Sequence, residues 1–321
     1  MPRPLQAPGA PAPLSVLVTG ITGYVGSLIV DPLVREGHRV RGFARRPDRA
    51  RPGVPAGVPI VTGDAVTGAG LEEALDGVDV AYFLIHSMES SDGDAFSSRE
   101  RIAAQRFAHA AQAAGVTRVV YLGGLVPRTG PVSAHLASRL AVERILLEAV
   151  PDSVAFRASI VIGARSRSFR FLVRLVERLP VLAIPAWSGY LTRPVDERDV
   201  VTMLVAAAGS PAVGGTTLDI GGPDAVTYGD LIDRIADLML VDRPALRLRR
   251  LTVTPIASRI AALIAGEDHA LIGPLMESLD GDLLPRDERA AALLPVRLHS
   301  LNAAIEHALR EWEAGEPLAA R

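Results

Sequence analysis

The chain has 321 residues, about half of them hydrophobic, and its 34 basic and 36 acidic residues give a formal net charge of −2. This is enough chain for one large α/β domain, alone or with a smaller one, around a sizeable core. The near-neutral charge argues against broad nucleic-acid binding. Cysteine is absent and every basic residue is arginine, which excludes disulfides, thiolate chemistry and lysine Schiff bases.

The N-terminal segment and the apolar runs of the chain bear on targeting and membrane insertion. Residues 1–13 are proline-rich without an apolar core, which predicts a disordered lead-in rather than a signal peptide. No apolar run approaches the ~18 residues of a membrane span, and the apolar piece at 256–266 is short and contains Arg259. We therefore expect a cytoplasmic protein without stable membrane insertion.

The first half of the chain alternates predicted strands and helices. Strands are predicted at 14–19, 38–44, 58–64, 78–87, 116–124 and 153–163, and helices at 24–36, 71–77, 95–114 and 133–149. Strands alternating with helices at this spacing predict a parallel, doubly wound α/β sheet. We assign residues 14–163 to this domain.

After residue 163 the regular alternation of predicted strands and helices ends. A helix is predicted at 168–179, Asp196 and Asp199 resemble helix-start residues, and 216–240 is predicted as strand, turn and helix with Thr227 as N-cap. The last 70 or so residues are predicted to be mostly helical. Residues 164–321 are therefore expected to form a smaller, mostly helical substrate region whose strands return to the sheet.

A glycine-rich turn follows the first strand, in the stretch VTGITGYVG at 18–26. Gly20 permits a sharp turn, Gly23 lets the backbone approach a pyrophosphate, and Gly26 lets the helix pack on the strand. The helix N-terminus offers N–H groups and partial positive charge to phosphates. A strand before and a helix after distinguish a dinucleotide-binding loop from a chance glycine cluster. We expect cofactor contacts along this loop from Gly20, Thr22, Gly23, Tyr24, Val25 and Gly26.

The ends of the second and third strands bear on the choice of cofactor. An NAD site usually has an acidic residue after the second strand, but here Ala44 is followed by Arg45 and Arg46. Guanidinium groups suit a 2′-phosphate, so NADP(H) is favoured over NAD(H), although these arginines could simply be solvated loop charges. Asp64, after the third strand, could meet the adenine amino group or cap a turn.

Several short stretches along the chain resemble the sequences of a known family. With the glycine motif, the stretches AYFLIHSM, VVYLGGL, HLASRLAVERIL, FRASIVIG and LDIGGPDAVTY resemble the short-chain dehydrogenase/reductase superfamily, and within it an atypical bacterial NAD(P)-binding subgroup. This subgroup is similar in plan to NmrA-like and quinone-linked relatives, and the resemblance covers roughly residues 14–312. It implies a Rossmann-type doubly wound parallel sheet.

The resemblance also implies which strand ends face the cofactor. Leu84, Ile85 and His86 end the fourth strand and would pass beside the ribose; His86 could orient ribose or substrate, or bond a backbone group. Gly123 and Gly124 occupy the place of the usual catalytic Ser or Thr, so that hydroxyl is absent. The loop after residue 163 would border the nicotinamide.

The stretch VSAHLASRL at 132–140 falls where the superfamily carries Tyr-x-x-x-Lys. By that resemblance His135 matches the Tyr position and Arg139 the Lys position. Four residues apart on a helix, they share a face, and Ser133 as N-cap places His135 in the first turn. Arg139 and the helix N-terminus should lower the pKa of His135. A neutral imidazole could donate an N–H to a carbonyl oxygen, and Arg139 could bind the nicotinamide ribose. Alternatively, both residues line an emptied pocket or bind phosphate and ribose.

Two clusters of arginines, and the histidines, are weaker signals of a binding site. The arginines of the 168–179 region could meet an anionic substrate or a membrane surface, but a solvated helix face is favoured; they are Arg167, Arg170, Arg174 and Arg178. Arg247, Arg249 and Arg250 are interpreted as a surface patch. The histidines show no metal-binding spacing such as H-E-x-x-H, so no metal is predicted.

Together these features predict an NADP(H)-binding atypical oxidoreductase for a small, fairly apolar organic molecule, with His135 as proton relay and Arg139 as cofactor anchor. The substrate would lie between the carboxyl edge of the sheet and the segment after residue 163. The alternative is a non-catalytic nucleotide-binding protein, such as a redox sensor or an assembly subunit, because the usual Ser, Tyr and Lys are all replaced.

Overall fold

The computed structural model describes residues 12–49, 54–85, 93–129, 132–179, 182–184, 186–242, 245–247, 281–294, 296–316 and 318. Predictions for the lead-in up to residue 11, for His86, for Arg249 and Arg250 and for the apolar piece at 256–266 lie outside the described residues.

A seven-stranded parallel sheet organises the chain, in the order β11-β6-β5-β4-β1-β2-β3. Its strands are β1 (Ser15–Thr19), β2 (Arg39–Ala44), β3 (Ile60–Thr62), β4 (Val80–Phe83), β5 (Arg118–Gly124), β6 (Val154–Ala158) and β11 (Thr216–Ile220). Four helices connect the strands of the first half: α1 (Tyr24–Arg35), α2 (Leu71–Leu75), α3 (Gly93–Ala113) and α4 (Ala134–Ala149). The strand order reverses between β1 and β4, which confirms the doubly wound Rossmann-type architecture.

The second half of the chain adds helices and short strand pairs. The helices are α5 (Arg167–Arg178), α6 (Glu197–Ala207), α7 (Tyr228–Leu238), α8 (Arg289–Leu293) and α9 (Leu301–Gly315). The short strands are β7 (Val161–Ile162), β8 (Leu182–Ile184), β9 (Leu191–Thr192), β10 (Val195–Asp196), β12 (Val226–Thr227) and β13 (Ala245–Arg247). Because β11 pairs with β6, this half does return a strand to the main sheet.

The strand predicted at 153–163 is in fact two strands. β6 pairs with β5 and β11 in the main sheet, whereas β7 pairs with β10 in a separate ladder. The chain changes partners at Ser159, whose N–H donates to the Ile220 carbonyl and whose hydroxyl lies 3.0 Å from the Thr192 hydroxyl. The sequence hides this break because apolar residues continue on both sides of Ser159.

Helix starts follow the predicted caps. The Ser133 hydroxyl accepts the Leu136 N–H, and Asp196 accepts the Arg198 N–H at 2.8 Å. Thr227 forms a full capping box with Asp230. Asp199 is not a cap: it lies in the first turn of α6, and its buried carboxylate accepts the N–H of His299.

The core lies on both faces of the sheet because alternate residues of a strand point to opposite sides. Val16 and Val18 of β1 pack with α1 and α6 residues such as Met203, while Leu17 packs on the other side with Phe107 of α3. A third apolar cluster joins α5, α7 and α9. No helix among the described residues is long and apolar enough to cross a membrane.

The arginines of α5 fall into two groups: Arg167 and Arg178 are exposed, as the favoured solvated face predicts, whereas Arg170 and Arg174 pack against α9. Arg170 and Arg174 stack over the Trp312 ring of α9, 4.2 Å and 4.9 Å from its centroid. Both also form ion pairs with Glu316, and Arg174 pairs with Glu177 as well. These two guanidinium groups join α5 to α9 through cation–π and charge contacts, so they serve the packing of the helical half.

Candidate functional site

The turn between β1 and α1 has space only for glycine at its critical positions. Gly20 has φ +68°, and a Cβ added there would lie 2.6 Å from the Leu84 carbonyl oxygen. A Cβ at Gly26 would overlap the carbonyl oxygen of Gly20. The tight packing of this turn therefore requires glycine at both positions, as in a dinucleotide-binding loop.

The start of α1 completes this cradle. Gly23 is the N-cap and contributes no capping side chain, so the first N–H groups of the helix are available to an anion. Thr22, Tyr24 and Val25 are half-buried in the same turn. This geometry fits the diphosphate of a dinucleotide.

The end of β4 supports the loop from below. The Thr19 hydroxyl donates to the Tyr82 carbonyl at 2.8 Å and accepts the Leu84 N–H at 3.2 Å. Leu84 is buried and Ile85 half-buried at this edge. The structure thus places both predicted residues next to Gly20. The Thr19 hydroxyl, which the sequence did not point to, links β1 to the end of β4.

The ends of β2 and β3 lie side by side at the same edge. Ala44 and Thr62 are register partners, and the Gly63 N–H donates to the Ala44 carbonyl. Arg45 and Arg46 follow Ala44 and are exposed. Asp64 caps a turn: one of its carboxylate oxygens accepts the Val66 N–H at 2.8 Å.

The end of β5 abuts the first turn of α4. A Cβ added at Gly124 would lie 3.2 Å from the Leu136 side chain, and one at Gly123 would lie 3.1 Å from the Tyr121 ring. His135, next to Leu136, is half-buried in this first turn. The position that faces the imidazole-bearing turn therefore carries no hydroxyl.

The imidazole of His135 is held neutral. Burial first, and then the positive charge of Arg139, lower the pKa of His135 to about 4. The predicted direction is confirmed, although the sequence pointed to Arg139 and the helix N-terminus and could not reveal that burial is the larger cause.

Arg139 has a buried partner that the sequence analysis missed. Its guanidinium lies 3.2 Å from the Glu100 carboxylate of α3, and the two side chains are only 7% and 3% exposed. The Ser138 hydroxyl donates to the other Glu100 oxygen at 2.9 Å. Glu100 shares its helix face with the buried residues Ala103, Ala104 and Phe107, and a lone carboxylate on an apolar stripe is a signal that could have found it.

A second carboxylate fixes the same helix further along. Arg157 of β6 binds Glu143 through two parallel hydrogen bonds of 2.8 Å and 2.7 Å, and the Thr217 hydroxyl of β11 donates to that carboxylate. Bidentate pairs of this kind are geometrically specific. They tie α4 to β6 and β11 of the sheet.

Comparison with known proteins identifies the nucleotide-binding region and its relatives. Residues 20–145 match a family model described as NAD(P)H-binding. A ceramide reductase of Caulobacter vibrioides is 27% identical over 225 residues, which cover 70% of each chain. A (4-alkanoyl-5-oxo-2,5-dihydrofuran-3-yl)methyl phosphate reductase of Streptomyces griseus is 32% identical over 217 residues, 66% of this chain and 69% of that protein.

Solved structures agree on the fold. A short-chain dehydrogenase/reductase superfamily protein from Agrobacterium tumefaciens with bound NAD superposes with a TM-score of 0.68 at 20% identity, over 94% of this chain and 96% of that one. The chain belongs to the same family as the Streptomyces reductase, and it shares its fold with the short-chain dehydrogenase/reductase superfamily. It is an NAD(P)-binding member related to reductases, with an atypical residue set.

By the family resemblance, the positions around the His135 turn differ from the usual catalytic set. The resemblance implies Gly123 or Gly124 in place of the hydroxyl, His135 in place of the tyrosine and Arg139 in place of the lysine. Of the groups described there, the imidazole is the one that can both donate and accept a proton near neutral pH. Any proton transfer by these three positions must therefore pass through His135.

The low pKa of His135 makes a stability prediction. The unfolded chain takes up a proton near pH 6.5, whereas the folded imidazole stays neutral to about pH 4. Because the unfolded state binds more protons, stability is lost as pH falls, by about 2 kcal/mol between pH 7 and pH 5 from this residue. Urea unfolding at both pH values should show a correspondingly smaller loss in His135→Gln. The exposed His109→Gln serves as control, and an equal loss in all three proteins would contradict the burial of His135.

Proposed function

We propose that this chain is an NADP(H)-dependent oxidoreductase acting on a small, fairly apolar organic molecule, with His135 as its proton relay. The observation that supports this most is the neutral, half-buried imidazole in the first turn of α4, beside the bare end of β5. The relatives from Caulobacter and Streptomyces are both named as reductases, which favours reduction as the working direction.

The chain's own residues divide the work of holding the cofactor. The turn at Gly20, Gly23 and Gly26 would hold the diphosphate, with Leu84 and Ile85 beside the ribose. Arg45 and Arg46 would bind the 2′-phosphate. When bound, the nicotinamide supplies the hydride.

His135 would supply the proton that balances hydride transfer to a carbonyl carbon. Its N–H donates to the carbonyl oxygen, which becomes the alcohol oxygen as negative charge develops there. The ring gives this proton up while its other nitrogen accepts one from water, so the imidazole ends neutral, as it began. A relay of this kind suits a ring whose pKa is about 4, because the charged imidazolium is scarce at pH 7.

Arg139 would combine two roles. Its pair with Glu100 keeps α4 against α3, which positions His135. A guanidinium carries five N–H donors, so contact with Glu100 is compatible with the proposed hydrogen bond to the nicotinamide ribose. The substrate would lie over the carboxyl edge of the sheet, between β5 and the segment after residue 163.

The choice of cofactor is tested by removing the two exposed arginines. Arg45→Ala/Arg46→Ala should weaken NADPH binding by about 10- to 100-fold, the worth of one or two charge-assisted hydrogen bonds. NADH affinity should stay within about twofold, measured by quenching of the intrinsic fluorescence. The exposed Arg35→Ala on α1 is the control. Equal affinity of the wild type for both cofactors would refute the assignment of these arginines.

The relay is tested by turnover. On a panel of carbonyl and quinone substrates, followed by NADPH absorbance, His135→Ala should lower kcat by about 10²- to 10⁴-fold, the usual worth of general acid help. NADPH affinity should be unchanged, and His109→Ala should behave as wild type. Turnover that survives in His135→Ala would remove the imidazole from the mechanism.

A non-catalytic role is the second candidate, because the superfamily's hydroxyl, tyrosine and lysine are all replaced in this chain. A redox sensor or assembly subunit would bind NADPH tightly and turn over none of the panel. The same titration and panel therefore separate the two functions.

A further inference from the structure

A titratable cluster lies where α1, α6 and α9 meet. Glu197 begins α6, and its side chain is only 6% exposed. Its carboxylate accepts a short hydrogen bond from the hydroxyl of Tyr24, the residue that begins α1 in the phosphate loop. Gly163, after β7, touches both groups so closely that an added Cβ would overlap them. Backbone and side chains thus confine this carboxylate to one place.

Two more ligand-type side chains approach Glu197 from α9. The Nε2 atom of His307 lies 4.0 Å from Glu197 Oε1 and 3.7 Å from Glu311 Oε1. His307 and Glu311 are one helical turn apart and share a face. One ligand atom from each of the three residues lies within 4.8 Å of the others. Glu311 is exposed and His307 partly so, which leaves both free to close on an ion about 2.0–2.2 Å from each ligand.

The cluster is short of positive charge. Two carboxylates approach a single imidazole, because the Nε2 atom of His307 lies within 4.0 Å of an oxygen of Glu197 and of Glu311. A divalent cation would neutralise both carboxylates at once and leave the imidazole neutral, as metal binding requires.

We propose that Glu197, His307 and Glu311 bind one divalent transition-metal ion and so fasten α9 to the start of α6. One imidazole with two carboxylates suits Zn²⁺ or Mn²⁺, whereas Ca²⁺ and Mg²⁺ prefer oxygen ligands alone. The sequence predicts no metal because the ligand from α6 is far along the chain from the two ligands of α9. The rival arrangement is a cluster of the same three side chains without any ion.

The test uses the full chain, stripped with EDTA and dialysed. ZnCl₂ titrated by calorimetry at pH 7 should give one equivalent bound per chain, retained through desalting and counted by elemental analysis. His307→Ala and Glu311→Gln should each weaken Zn²⁺ at least about tenfold, as loss of one ligand from a three-ligand site. Glu306→Gln, which removes the same charge from an exposed position of α9, should bind as wild type.

Thermal unfolding shows whether the ligand variants are folded like the wild type. Without metal, both ligand variants should melt as the stripped wild type does, because His307 and Glu311 lie at the surface of α9. Saturating Zn²⁺ should raise the melting temperature of the wild type by about 2–5 °C and that of the ligand variants by less. Failure of the wild type to bind a stoichiometric ion, or equal binding by Glu311→Gln, overturns the proposal in favour of the cluster without an ion.

Discussion

Gly26→Ala is expected to weaken NADPH binding by about 100-fold or more. An alanine Cβ at this position would overlap the carbonyl oxygen of Gly20, so the helix start and the loop must move apart. The N–H groups at the start of α1 then no longer converge on the diphosphate. Loss of two charge-assisted hydrogen bonds of about 1.5 kcal/mol each accounts for this factor.

The matched control is a glycine-to-alanine substitution at a position where the backbone leaves room for a Cβ atom. Gly209 follows α6, is exposed, and would bring an added Cβ near no other atom within 4 Å. Gly209→Ala should therefore leave NADPH affinity, measured by calorimetry, unchanged. Alanine ordinarily stabilises a helix relative to glycine by about 1 kcal/mol. A Gly26→Ala protein that is more stable than wild type and still binds NADPH would show that this loop is not built around a phosphate.

The parts of the fold that were predictable are those encoded locally. The strand–turn–helix that begins the chain, the reversal of strand order implied by alternating elements, and the N-caps Ser133, Asp196 and Thr227 each depend on neighbours within a few residues. Side-chain caps and glycine turns act over one helical turn, so their signals survive in sequence alone.

The parts that escaped prediction depend on partners far apart in the chain. Glu100 meets Arg139 only because α3 and α4 pack together, and Trp312 meets Arg170 and Arg174 only because α5 and α9 share one apolar cluster. The periodicity of the sequence does not predict such contacts. The arginine spacing on α5 indicated a solvated face, and this holds for Arg167 and Arg178, whereas Arg170 and Arg174 bind a distant aromatic residue and the Glu316 carboxylate.

The candidate site shows the same division. The position of His135 and the direction of its pKa change followed from helix spacing, but the larger cause is burial, which depends on the whole fold. Similarly, the sequence left two roles open for Asp64, which were adenine binding and turn capping. In the structure its carboxylate accepts the Val66 N–H, a contact that depends on the path of the loop.

Glu100→Gln is expected to destabilise the protein by about 3–5 kcal/mol, measured by urea unfolding. The amide keeps the shape of the side chain and the hydrogen bond from Ser138, but it removes the negative charge that lies 3.2 Å from the buried Arg139 guanidinium. Removing one partner of a buried pair is costly because the remaining charge has lost both water and its partner. On α4 itself, the exposed pair Arg144–Glu148 provides the control, and Glu148→Gln should cost less than about 1 kcal/mol.

Replacing both members of the buried pair separates stability from cofactor binding. Glu100→Leu/Arg139→Met removes both charges and fills a similar volume, so it should recover most of the stability that Glu100→Gln loses. If Arg139 also anchors the ribose, this refolded variant should still bind NADPH about tenfold more weakly, the worth of one charge-assisted hydrogen bond. Wild-type affinity in the double variant would assign Arg139 to packing alone. The proton relay would then rest on a helix held by Glu143 and Arg157, with His135 as its one chemical group.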